Sequence, residues 1–382
     1  MTGVNADFLI VGAGIAGASV GYWLAPHGRT VVLERERQPG YHSTGRSAAM
    51  VIDSYGPRQV RALTAASRTF FAQPPTEFAD APLLAPRSAM MVARPDQEAL
   101  LDKHYDVVRS STERAQRLSA RGARTQVPVL RPEQVIGAVL DPTSSDVNVH
   151  ALHQGYLRGI RQAGGHVYCN AEVLAVERDG RGWRVLTQRV TYRTAILINA
   201  AGAWCDKVAR LAGARPIGLV PKRRSAFVFG SPPGSSVAGW PLCGALDETW
   251  YMKPEAGALL GSPANADPVE PHDVQAEDLD IAVGIHQIQE MTTLDIRRPS
   301  RIWTGLRSFV ADDALVGGYD RDAGGFFWVA GQRGYGIQTS PAMGETFAAL
   351  VRGQPIPGRI AEFGLTREML GPARLVASRC VV

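Results

Sequence analysis

The chain has 382 residues, enough for a large core and two domains. Its 45% hydrophobic and 20% charged content suits a folded enzyme and excludes a disordered or fibrous chain. The net charge of +5 comes from scattered arginines, so no nucleic-acid surface is expected, and no apolar run approaches the length of a membrane span.

In chain order, MTGVNAD runs straight into a first strand with no room for a secretion signal, so the expected location is the cytoplasm. Phe8 to Val11 is apolar and rich in branched residues, as in a buried parallel strand. Gly12, Gly14 and Gly17 follow as G-x-G-x-x-G and open a helix, and a second strand, Thr30 to Leu33, ends in Glu34. Strand, glycines, helix, strand and acid together form a dinucleotide fingerprint. The glycines permit the turn and a close pyrophosphate, the helix start attracts phosphate, and Glu34 is placed for a ribose. The fingerprint alone leaves nicotinamide and flavin undecided.

A small-residue loop, GYHSTGRSAAM, leads to a helix expected near Arg58 to Phe70. Prolines 74, 75, 82 and 86 then suggest a crossing between domains. A strand is predicted over Ser88 to Ala93, a helix over Asp96 to Leu118 and a strand over Val135 to Leu140. Further on come a helix over Ala151 to Ala163, a short strand over Val167 to Cys169, and alternating antiparallel strands over Ala171 to Tyr192. The apolar run Ala195 to Asn199, the small-residue turn Ala200 to Gly202 and a helix from about Trp204 belong with the fingerprint sheet. Arg224 to Phe229 and Thr249 to Lys253 read as strands, with one helix near Ala276 to Met291. GFFWVAGQRGYG gives strand and glycine turn before a helix from Ile337 to Val351, and the last thirty residues are expected to run over the surface. Cys169, Cys205, Cys243 and Cys380 lack metal-site spacing and are expected to remain thiols; no metal is expected.

The expected fold is α/β (α+β). A discontinuous Rossmann-like dinucleotide domain (1–86, 145–218 and 303–382) carries an inserted antiparallel-sheet substrate domain (87–144 and 219–302).

The segments GAGIAGASVGYWL, YHSTGRSAA, ALHQGYLRGI, NAAGAWCD, PKRRSAF, YMKP, GSPANADP, GLRSFVAD and GYGIQTS carry a likeness over residues 5–370. On them the chain resembles the FAD-dependent D-amino acid oxidase and dehydrogenase (DAO) family, most like its bacterial D-arginine dehydrogenases. The resemblance implies an FAD, non-covalent because no cysteine lies near Arg307 or the final glycine loop. Its holders would be Gly12, Gly14, Ile15, Ala16, Gly17, Glu34, Arg35, Val173, Gly202 and Trp204 for the ADP half. Ser43, Thr44, Arg46, Ser47 and Ala48 would pass the pyrophosphate and flavin edge, and Arg307, Gly334, Gly336, Ile337 and Gln338 would surround the ring.

The implied reaction moves a hydride from Cα of a D-amino acid to flavin N5, giving an imino acid that water converts to 2-oxo acid and ammonia. Arg224 and Arg307 match the family's carboxylate-binding arginines, Tyr251 a hydroxyl on the same group, and Tyr55 a lid residue. A guanidinium grips a planar carboxylate with paired donors. Neighbouring Lys222 and Arg223 are expected to point away, and His42, His150 and His153 are expected to be structural or exposed.

Four positions depart from the D-arginine enzymes: Met50 stands where they have histidine, Ala89 for the glutamate that meets the substrate guanidinium, Arg333 for a glycine, and Asp53 for a small residue. A pocket less suited to D-arginine and more open to neutral side chains is expected, unless Asp53 or Arg333 supplies charge from another direction. The alternatives are oxidation of a secondary amine or glycine- or sarcosine-like amino acid, with a biosynthetic role as one use of it, and a weakly active flavin-binding protein. The partners expected are the amino acid and an electron acceptor, oxygen or quinone-like, for a monomer or homodimer.

Overall fold

Two consecutive apolar strands separated by one helix fix the first sheet. In the computed structural model, which describes residues 3–180 and 182–377, strand Gly3–Val11 lies parallel to Thr30–Leu33 on one side and to Thr191–Asn199 on the other. Each is buried at its C-terminal end, as strands covered on both faces must be. Phe326–Ala330 and His166–Tyr168 extend this sheet in parallel, and Ala175–Asp179, Gly182–Leu186 and Val316–Tyr319 complete eight strands with antiparallel pairings. Fingerprint helix Ile15–Leu24 and closing helix Gly336–Val351 pack closely. A Cβ added to Gly344 would lie 2.9 Å from the Ser19 backbone.

A nine-stranded sheet is built from Ala89–Ala93, Gln116–Ser119, Gly137–Asp141, Val220–Phe229, Leu242–Ala245, Tyr251–Glu255, Ala258–Ser262, Asp267–Pro268 and Arg301–Phe309. Its pairings are antiparallel except for Ala89–Ala93 with Leu242–Ala245. Helices Ala120–Gln126 and Asp278–Met291 cover one face, over a core that includes Phe227, Phe229, Trp250 and Met252. The three short strands Met50–Val51, Leu84–Pro86 and Ser145–Val147 form a ribbon of their own.

Some expectations change. The helix predicted to Leu118 covers only Glu98–Ser111, and Gln116–Ser119 is an edge strand paired with Gly137–Leu140. Its sequence, QRLS, alternates too briefly for the strand to show. Strands Ala258–Ser262 and Arg301–Phe309 were not predicted, because glycine or arginine interrupts their apolar pattern. The C-terminal stretch is not merely a surface run: short helices Gly358–Ala361 and Arg367–Leu370 bury Ile360, Leu365 and Leu370. Cys169, Cys205 and Cys243 are free thiols, and Cys380 lies outside the described residues.

Candidate active site

The fingerprint turn shows why three glycines stand there. Gly12 has φ +103°, and a Cβ on it would sit 2.4 Å from the Ala200 carbonyl oxygen. One on Gly17 would sit 1.9 Å from the carbonyl of Gly12 itself. These two therefore close the turn onto the next strand and the helix, whereas Gly14 meets only the Thr44 hydroxyl, at 3.3 Å. Thr44 Oγ accepts from the Ile15 amide at 2.9 Å, so one helix-start donor is already used within the protein.

Around this turn lies a cavity of about 440 Å³. Its walls include Gly12, Gly14, Ile15, Ala16, Glu34, Arg35, Ser43, Thr44, Val173, Gly202, Trp204 and Arg333. Glu34 is buried and accepts from the Ala13 and Glu36 amides, both at 3.0 Å. Burial raises its proton affinity, and those two donors pull it back. Arg35 lies 5.0 Å over the Trp204 ring, leaving a flat aromatic wall beside the acid.

A second cavity, about 280 Å³, lies against the nine-stranded sheet. Arg224 pairs with Gly305 and Lys222 with Arg307, so Arg224 and Arg307 are diagonal neighbours on one face. Phe227, Gly261 and Met252 share the opposite face, which by alternation puts Tyr251 on the face of the arginines. From Tyr251 the register continues to Gly244, Met91 and Val139, with Leu242, Ala89 and Asp141 beside them. All of these except Lys222, Gly305 and the three opposite-face residues line the cavity, with Met50, Ile52, Tyr55 and Gln338 completing it from the other side.

Among the described residues no carboxylate lies within ion-pair distance of Arg224 or Arg307; Arg224 Nε donates to the Asn265 carbonyl at 2.7 Å. Burial, then the facing Arg224, lowers the proton affinity of Arg307, while Tyr251 and Tyr55 oppose the effect. A guanidinium nevertheless stays charged. Two cations thus face one cavity with no carboxylate of the described residues close enough to pair with either. Burial and Glu248 push the Tyr55 hydroxyl up, so it stands as a neutral phenol, its ring 5.0 Å from that of Tyr335.

Three segments join the cavities. Ser43 and Thr44 line the first and Ser47 and Ala48 the second; Leu306 and Ser308 the first and Arg307 the second; Gln332 and Arg333 the first and Gly334 the second. A long ligand anchored at Glu34 would therefore pass these segments into the chamber of the arginines. The donor set and the glycine cradle fit FAD in this orientation.

Several singled-out residues lie elsewhere. Arg46 lines neither cavity: it bonds Asp273 at 2.5 Å and the Thr304 carbonyl at 2.9 Å. Gly17, Gly336 and Ile337 are buried behind the walls. Asp53 accepts from Arg68 with both carboxylate oxygens, at 2.8 to 3.1 Å, and does not line the second cavity. Arg333 lines the first cavity and turns to Asp313 (3.1 Å) and the Tyr335 hydroxyl (2.8 Å). Its φ of +45° is one that glycine adopts freely.

Arg223 faces away toward Asp280 and Glu277; Lys222, though on the Arg224 face, rests 4.3 Å over the Phe309 ring. His153 is structural, its Nε2 2.9 Å from the Ala13 carbonyl in the fingerprint turn. His42 lines the first cavity between Glu36 and Trp204. His104, Asp141 and Glu248 also line the second cavity. The sequence marked none of the three, since each sits in an ordinary helix, strand end or turn. The Asp141 carboxylate is taken by Thr143 and Ser144.

A family model described as FAD dependent oxidoreductase (DAO) matches residues 7–350. A glycerol 3-phosphate dehydrogenase of Caloramator mitchellensis is 23% identical over 362 residues, 88% of this chain and 72% of the relative. A glycine oxidase of Geobacillus kaustophilus is 24% identical over 379 residues, 95% of this chain and 97% of the relative. Its crystal structure superposes with a TM-score of 0.82 at 23% identity, over 95% of this chain and 99% of that one. An N-methyl-L-tryptophan oxidase of Salmonella enteritidis is 23% identical over 281 residues, 69% of this chain and 73% of the relative.

Proposed function

The chain belongs to the DAO family of FAD-dependent oxidoreductases, and on that premise we propose that it oxidises a D-amino acid with a neutral, mainly apolar side chain at Cα. The observation that carries this reading is the pair Arg224 and Arg307, facing one chamber with no carboxylate of the described residues within ion-pair distance of either. An α-carboxylate supplies the missing charge, and its paired oxygens suit the forked donors. Bound FAD supplies the acceptor for the hydride leaving Cα.

The protein's part is orientation. Arg224 and Arg307 fix the carboxylate, Tyr251 lines the chamber on their face and Tyr55 from the other side, and Met50, Ala89, Leu242 and Met91 exclude water from the carbon that reacts. No side chain of the chamber is assigned as base: the amine enters neutral, having lost its proton to water. The product imine is hydrolysed to 2-oxo acid and ammonia. The assignment of the D-enantiomer follows the likeness of PKRRSAF and GSPANADP to the D-arginine enzymes.

The acid that would meet a cationic side chain at position 89 is replaced by Ala89, Asp53 is consumed by Arg68 and Asp141 by Thr143 and Ser144, which leaves Glu248, near Tyr55, as the one carboxylate of the chamber lining without such a partner among the described residues. We take FAD to be non-covalent, since Cys169, Cys205 and Cys243 line neither cavity. A second reading, oxidation of an N-alkyl amino acid, is favoured by the names of the glycine oxidase and N-methyltryptophan oxidase relatives. The same carboxylate grip serves it.

Anaerobic mixing of the holoenzyme with D-Leu, D-Met, D-Phe, D-Arg and their N-methyl forms tests the reading. Bleaching of the oxidised flavin band by the neutral D-amino acids, faster than by D-Arg, is expected. D-Arg outrunning them by orders of magnitude would overturn the apolar-pocket assignment.

A further inference from the structure

The substrate chamber does not end at the carboxylate grip. Its face of the sheet runs from Arg224 across the intervening strands to Met91 and Val139, which lie four and five strands away. At about 4.8 Å per strand that is roughly 19–24 Å before the shortening due to twist. The far end is closed by helix Glu98–Ser111, which contributes His104, Val107 and Val108 to the chamber wall.

The helix is seated by an apolar stripe, Leu101 and Val108, packed on Val139, Ala93 and Leu246. His104 occupies the same stripe, three residues after Leu101 and four before Val108, where an apolar residue would complete the helix face. It is half-buried, and no hydrogen bond or ion pair to either ring nitrogen exists among the described residues. Burial lowers its proton affinity, so the ring is neutral with one donor and one acceptor. The lining here includes Met91, Val107, Val108, Val139 and Leu246, with Glu248 two residues beyond Leu246.

We propose that helix Glu98–Ser111 is the specificity wall of this enzyme, and that His104 selects substrates whose large apolar side chain ends in a hydrogen-bonding group, such as a phenol or an indole. The inference rests on the amino-acid reading above, and it names the side-chain class that reading leaves open. A glycine-sized substrate would reach the arginines and leave this end unfilled. The arginine and imidazole side chains project into that backbone-to-backbone span from its two ends, and a long aromatic side chain bridges what remains and gives the imidazole the partner it lacks among the described residues. Leaving such a polar group unmatched is what makes a pocket discriminate.

The test uses unreactive carboxylates on the FAD-loaded protein, with dissociation constants read from the change in the flavin absorption band. The ligands are acetate, 3-phenylpropanoate and 3-(4-hydroxyphenyl)propanoate; the proteins are wild type, His104→Leu, His104→Gln and Val107→Trp. In wild type the hydroxyphenyl ligand should bind at least tenfold tighter than acetate. His104→Leu should cut the preference for the hydroxyl over the phenyl ligand about fivefold, and His104→Gln should restore most of it. Val107→Trp should reduce the preference of both aryl ligands over acetate at least tenfold.

Aryl preferences unchanged in Val107→Trp and His104→Leu, with flavin content intact, would overturn the proposal. If wild type binds none of the carboxylates and no amino acid bleaches the flavin, the amino-acid reading itself falls. If amino acids bleach it and only the wall variants are silent, the inference alone falls.

Discussion

Arg307 is a cation with no counter-ion among the described residues, so its removal should relieve the free protein while disabling the enzyme. Arg307→Met is expected to lose a charge-assisted grip of about 1.5–3 kcal/mol, roughly ten- to a hundredfold in kcat/KM. The thermal midpoint of the ligand-free protein should stay level or rise. Steady-state kinetics and a melt on the same preparation check both halves; a fall in stability without a fall in kcat/KM would contradict the assignment.

Arg333 makes a second residue-scale case. Arg333→Ala and Arg333→Gly both delete the contacts to Asp313 and Tyr335, but only glycine takes φ +45° without strain. The glycine variant should therefore be about 1 kcal/mol more stable than the alanine variant by chemical denaturation.

At the scale of elements, the ribbon that carries Met50 is tied to the nine-stranded sheet through Asp146. Met50 pairs with Asp146, whose carboxylate accepts from Lys253 at 2.7 Å and from Arg87. Lys253 is buried, so Asp146→Asn would leave two cations poorly compensated. A loss of about 3–5 kcal/mol is expected. Asp102→Asn, which removes an exposed partner of Arg117, should change stability by less than about 1 kcal/mol.

What the sequence disclosed is uneven at this scale. The fingerprint, the helix Ile15–Leu24 and the closing helix were legible because local glycine chemistry and apolar runs specify them. The nine-stranded sheet was not. Its strands Gln116–Ser119 and Arg301–Phe309 owe their pairing to partners at least 18 residues distant, and Arg301–Phe309 carries Arg307, proposed above to grip the carboxylate. For the same reason the sequence did not show that Asp53 is held by Arg68 on the following helix, a contact no motif reports. His104 left a faint mark, a polar residue on an apolar stripe, whose meaning depends on the sheet beneath it.

For the whole molecule, the cofactor site and the core share a titrating group. His153 holds the Ala13 carbonyl of the fingerprint turn, and burial, then nearby His150, keeps its proton affinity below the ordinary 6.5. A histidine depressed in the folded state contributes stability above its unfolded value, lost as pH falls through the folded one. The stability of wild type relative to His153→Gln should thus decline as pH drops below 6.5, checked by denaturation of both proteins across that range.

The central claim is that two arginines without a counter-ion hold an amino acid by its carboxylate beside FAD. It is tested most directly by anaerobic flavin reduction with matched pairs that differ only in that group, D-leucine against 3-methylbutylamine and D-phenylalanine against 2-phenylethylamine. The account predicts rapid bleaching by the amino acids and, with the decarboxylated amines at equal concentration, rates at least a hundredfold lower. Equal bleaching by the amines, or bleaching by glycerol 3-phosphate and by none of the amino acids, would contradict it.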